Sequence, residues 1–126
     1  MGAASERERA ARIGVARMCV GGTLLLTTGL ARRLLGVSER LLARLFGIRN
    51  IVLGAWTLAA RDHGAEQRRL CYRLNAVVDA TDLGILAIGA LSGEGLVRAA
   101  VTGAGLGGSA LLAWLELLRE VDGGRT

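Results

Sequence analysis

Residues 70–91, LCYRLNAVVDATDLGILAIGAL, run for 22 residues with Asn75, Asp79 and Asp82 set among apolar neighbours. As a helix rising ~1.5 Å per residue the stretch spans ~30 Å, the hydrocarbon thickness of a bilayer. Cys71, Asn75, Asp79 and Asp82 step by four, four and three, so they share one helix face. Leu83 to Leu91 is apolar all round, whereas a soluble surface helix is polar on one side. The stretch reads as a membrane-spanning helix with a polar stripe.

Outward from it, apolar segments at about 13–34, 41–60 and 96–118 repeat the same length, joined by short polar connections. The expected architecture is therefore all-α: a single domain over 1–126 forming a four-transmembrane-helix bundle, up-down-up-down. No segment holds eighteen apolar residues free of charge; the best is Ala99 to Leu115, and the first offers Met18 to Ala31. Apolar runs of that length also occur in buried helices, so a soluble helical bundle is the competing reading. Charge placement favours the membrane. Arg12, Arg17, Arg32, Arg33, Arg61, Arg68, Arg69, Arg98, Glu116 and Arg119 lie at segment ends, where long side chains snorkel to the headgroups.

Composition agrees. Of 126 residues, 52% are hydrophobic, and mean hydropathy is +0.42. That excludes a disordered chain. The absence of Pro excludes a collagen-like one, and two Cys cannot build a disulfide framework. The nineteen Gly suit helices that pack closely in lipid. All sixteen basic residues are Arg, against eleven acids, for a net charge of +5; with abundant Ala and Gly this hints at a GC-rich bacterial genome. Arg is spread over every connection and interleaved with acids, which fits anionic lipid as a partner better than nucleic acid.

An inside N-terminus places Arg7, Arg9, Arg12, Arg61, Arg68, Arg69, Arg73, Arg119 and Arg125 in the cytoplasm, and Arg32, Arg33, Arg40, Arg44 and Arg98 outside. The positive-inside rule thus predicts a bacterial inner-membrane protein with both termini cytoplasmic. The first segment resembles a signal peptide, but it runs into Arg32 and Arg33 without an A-x-A-like cleavage site and is read as an uncleaved span. Ser38 is the expected N-cap of the second helix.

Charge inside a span is costly unless paired or wetted. The candidates are Arg49, Asn50, Asn75, Asp79 and Asp82. Segments two and three must run antiparallel about the turn at Asp62 to Gln67. From Ala65, Arg49 lies sixteen residues back, Asp79 fourteen on and Asp82 seventeen on, at similar depth. Arg49 is expected to pair with Asp79 or Asp82, leaving one acid over. Either the cluster is a structural clamp, or the surplus acid titrates in a proton or cation path or a polar pocket. On helix two, Asn50, Gly54, Thr57 and Arg61 form a second shared face.

Other signals carry less. Gly103, Gly105 and Gly108 spell G-x-G-x-x-G, but no following strand with an acidic residue completes a dinucleotide fingerprint. Gly103 with Gly107, and Gly89 with Gly93, read instead as G-x-x-x-G packing faces for helices within one chain or between copies. Cys19 and Cys71 form no C-x-x-C, and His63 is the single histidine, so no metal or cofactor set is expected. Trp56, Trp114 and Tyr72 are too few for an aromatic belt.

The stretches LFGIRNIVLG, residues 45–54, and NAVVDATD, residues 75–82, resemble small actinobacterial integral membrane proteins that carry a domain of unknown function. In these, an R-L-x-G-x-R-D/E-x-x-L-G element on helix two meets an x-V-D-x-x-D element on helix three. The resemblance implies four helices and singles out Arg49, Asp79 and Asp82. It supplies no reaction, and this chain has Asn50 where the family often has an acid. The function expected is an accessory or assembly component, not an enzyme, whose partner is another membrane protein or further copies of itself. The alternative is a minimal homo-oligomeric transporter coupled through the spare Asp.

Overall fold

The computed structural model describes residues 2–26, 40–93 and 97–123. They form four helices, α1 (Gly2–Leu26), α2 (Arg40–Ala60), α3 (Ala65–Leu91) and α4 (Val97–Gly123), with no strand among the described residues. Ser38 and the Arg32–Arg33 pair lie outside these residues, as do the side chains of Arg40 and Arg98.

Helix α2 starts within one residue of expectation, because its apolar pattern begins where the helix does. Helix α1 begins at Gly2, not near residue 13. Residues 3–12 are mostly Ala, Glu and Arg, strong helix formers that no search for apolar runs detects, and Arg12 bonds Glu8 one turn back at 2.6 Å. Helix α3 begins five residues early, after Gly64 as N-cap. It ends with the Ser92 amide bonded to the Ile88 carbonyl at 2.9 Å and Gly93 at φ +74°. A left-handed residue after the last turn is a common helix stop and favours glycine. Gly93 is therefore a terminator and not part of a Gly89/Gly93 packing face, although Gly89 is buried. Helix α4 continues to Gly123, past the expected end at 118, and Val121 in this extension is buried.

The bundle is up-down-up-down, built as two tightly packed hairpins. In the first, α1 and α2 meet through glycines spaced seven apart on each helix. A Cβ on Gly54 would lie 2.5 Å from the Gly14 carbonyl oxygen, and one on Gly21 2.5 Å from that of Gly47. The two backbones touch, and the seven-residue period keeps the seam facing its partner as the helices coil. In the second hairpin, α3 packs on α4 with Leu86 over Gly103 and Leu83 over Gly107, as expected for that glycine pair. The hairpins meet in a small core of Ala10, Ala60, Cys71, Tyr72, Ala76, Trp114, Leu117 and Val121 at the end holding the α2–α3 turn.

Among the described residues, two helices are long and apolar enough to cross a membrane, α3 over Ala65–Leu91 and α4 over Val101–Gly123. Helices α1 and α2 fall short of that standard; both carry Arg along their inner faces.

Ala at Gly21 or Gly54 should force backbones apart and lower stability by about 1–3 kcal/mol. Ala at Gly22 or Gly108, where nothing lies within 4 Å, should be neutral or stabilising. Unfolding in detergent checks both; equal losses at all four positions would contradict the glycine seam.

Candidate functional site

The face predicted on α3 exists. Arg68, Cys71, Tyr72, Asn75, Ala76 and Asp79 are all buried on it. Asn75 donates to the Cys71 carbonyl at 2.9 Å and reaches Thr57 Oγ1 of α2 at 3.5 Å. Asp82 takes a two-pronged ion pair from Arg49 of α2, with Nη1 to Oδ1 at 2.8 Å and Nη2 to Oδ2. The Arg49 guanidinium also lies over the Phe46 ring, 4.6 Å from its centroid.

The acid expected to be left over is not spare. Asp79 is held by Arg17 of α1, whose Nη1 donates to Oδ1 at 3.1 Å and whose Nη2 donates to the same oxygen. Its Oδ2 accepts from Trp114 Nε1 of α4 at 2.9 Å. Arg17 also reaches Asn50 Oδ1 at 3.5 Å and lies 5.8 Å from the Trp114 ring centroid. Arg17, placed by the sequence reading at a segment end and directed to headgroups, is only 8% exposed inside the bundle. The error follows from the helix boundary. With α1 starting at Gly2, residue 17 lies well inside the helix on the face that carries Ala10, Gly14, Gly21 and Leu24, all buried. That three-and-four spacing was the signal that could have found it.

A second buried ionic contact was also missed. Glu6, 2% exposed, accepts from Arg68 Nε at 3.2 Å and from the Tyr72 hydroxyl at 2.6 Å. Arg68 Nη1 closes the α2–α3 turn on the His63 carbonyl at 2.7 Å. Tyr72 stacks on Trp114 with centroids 5.7 Å apart. Arg9 bonds Glu120 nearby, and Arg69 bonds Asp122.

Beside the Arg–Asp pairs lies a partly open cavity of about 410 Å³, lined by residues of all four helices. Among the described residues no three His, Cys, Asp or Glu side chains gather to hold a metal. Nor does the Arg–Asp cluster contain a nucleophile beside a base; each carboxylate faces a guanidinium. No protein-family model matches the chain, and no curated protein or solved structure matches it.

Arg49→Leu should lower stability in detergent by roughly 1–3 kcal/mol through the stranded Asp82 carboxylate. Adding Asp82→Leu should recover part of the loss. Unchanged melting in the single variant would remove Arg49 from the clamp.

Proposed function

We propose that this chain is a four-helix integral membrane protein of the bacterial inner membrane, with both termini cytoplasmic, acting as an accessory or assembly component. The observation that carries the reading is the polarity of the bundle: ionic groups inside, aliphatic groups outside. Val52, Val77, Ile85, Ile88, Val101 and Leu112 are all more than half exposed, while Arg17 and Asp79 are buried. Only 22% of the apolar window of α3 and 11% of that of α4 is buried, whereas the core helix of a soluble protein is mostly buried. Water would have to cover the remaining aliphatic surface; lipid covers it without cost.

On this reading α1 and α2 cross with α3 and α4, with Arg17 and Arg49 matched by Asp79 and Asp82 inside the bundle and the exposed Arg7, Glu8 and Arg12 set at the headgroup end of α1. The end that carries Glu6, Arg9, Arg61, Asp62, Arg68, Arg69, Glu120 and Asp122 lies at the cytoplasmic headgroups, where Arg contacts anionic lipid. The accessory role is supported by the use to which the charges are put. Asp79 and Asp82 each answer an Arg, so neither is the free acid that a coupled transporter would need. The resemblance of residues 45–54 and 75–82 to the small actinobacterial membrane proteins supports the four-helix architecture alone. Such a component would assemble with another membrane protein or with further copies of itself, and gentle-detergent purification would recover that assembly at fixed ratio.

Cys19 supplies the test. It is exposed on the protein surface about midway along the bilayer-spanning part of α1, so only lipid can shield it. In intact membranes a water-soluble maleimide should leave it unlabelled until detergent and denaturant are added. Rapid labelling of native chain, together with recovery in the soluble fraction, would overturn the membrane assignment.

A further inference from the structure

The cavity has apolar walls and a polar floor. Val20, Leu24, Phe46, Leu83, Leu86 and Leu106 form much of the wall, while Arg17, Arg49, Asn50, Asp79 and Asp82 line the floor. Its size of about 410 Å³ is that of a small-molecule site. Two Arg and two Asp make the floor formally neutral, so a bare anion or cation would surrender hydration without a compensating charge. Apolar walls also hold water poorly.

Hydrogen-bonding capacity on the floor is unbalanced. Both Asp79 oxygens are engaged, by Arg17 and by Trp114. Both Asp82 oxygens are engaged by Arg49. Asn50 donates to the Phe46 carbonyl and accepts from Arg17, and Ser109 donates to the Leu106 carbonyl. Arg49, by contrast, commits to Asp82 only part of a guanidinium that has five N–H donors, and its side chain is 35% exposed. Arg17 Nε and Arg49 Nε are buried without a hydrogen-bond partner among the described residues, whereas every carboxylate oxygen of the floor already accepts at least one bond. A complementary ligand brings an acceptor oxygen on an apolar body.

We propose that this cavity binds a single-chain lipophile with a carbonyl-type oxygen at its head, the chain lying along the α1 and α4 walls and the oxygen accepting from Arg49. A neutral acyl ester and the protonated form of a fatty acid share that chemistry. The proposal goes beyond the membrane reading and does not depend on it, because a soluble bundle with the same cavity would take the same ligand.

The test is photolabelling of the full chain in phosphatidylcholine nanodiscs with palmitic acid carrying a mid-chain diazirine, and separately with its methyl ester, followed by adduct mapping. Adducts should fall on cavity residues such as Ala16, Gly107 and Ala110 and be displaced by excess unlabelled ligand. Ala110→Phe, which fills the cavity, should lower them roughly tenfold, an amount equal to ~1.4 kcal/mol of binding. Ala104→Phe, on the exposed face of α4, should leave them unchanged. Labelling by both, or by the ester alone, supports a neutral carbonyl head; labelling by the acid alone would contradict it. Adducts spread over the outward residues Val77, Ile85 and Ile88, without displacement, would overturn the proposal. If Ala110→Phe fails to fold, displacement on the native chain decides alone. Should maleimide labelling show a soluble protein, the same mapping is run in buffer, so the two ideas fail separately.

Discussion

Arg17 and Asp79 meet across the gap between two helical hairpins, and the shape of the bundle follows from that contact. Within each hairpin, small residues let the helices approach until backbone nearly touches backbone or a Leu drops over a Gly. Between the hairpins the joining groups are long and polar: Glu6 with Arg68, Arg9 with Glu120, Arg17 with Asp79, and Arg49 with Asp82. The apolar core that the hairpins share is confined to one end. Where the core stops and the ion pairs continue, the hairpins stand far enough apart to leave the cavity. The seam and the cavity have one cause.

A buried ion pair is an uncertain source of stability, because removing two charges from water can cost as much as their attraction returns. What it supplies here is selectivity among arrangements. Each pair satisfies its charges in one register of one hairpin against the other, and sliding by a turn would strand Arg17, Asp79 and Glu6 together. The Trp114 indole gives Asp79 a third donor from α4 and so holds the carboxylate in place within the second hairpin. With the charges neutralised inside, the outer faces are free to be aliphatic, as Val77, Ile85 and Ile88 of α3 show.

Some of this was legible in the sequence. Counting depth on either side of a tight turn set Arg49 level with Asp79 and Asp82, since an antiparallel hairpin converts chain distance into height, and the structure pairs it with Asp82. The polar face of α3 followed from the spacing of Cys71, Asn75, Asp79 and Asp82. Arg17 did not, because apolar runs located the first helix too late and moved that residue from its interior to its edge. The glycine seam was present as equal seven-residue spacings in two helices, Gly14 with Gly21 and Gly47 with Gly54, but attention to four-residue spacing selected Gly93, which ends a helix. Pairings across the diagonal of the bundle, such as Glu6 with Tyr72, depend on how two hairpins dock and leave no local pattern in the chain.

The most direct measurement is a double-mutant cycle between Arg17→Leu and Asp79→Leu, read by equilibrium unfolding in detergent. If the seam holds the hairpins in register, either single change should cost about 3–5 kcal/mol by leaving an unpaired buried charge, and the double variant should recover much of that loss. If the two losses instead add within ~0.5 kcal/mol, the residues act independently, and the claim that this pair joins the hairpins is wrong.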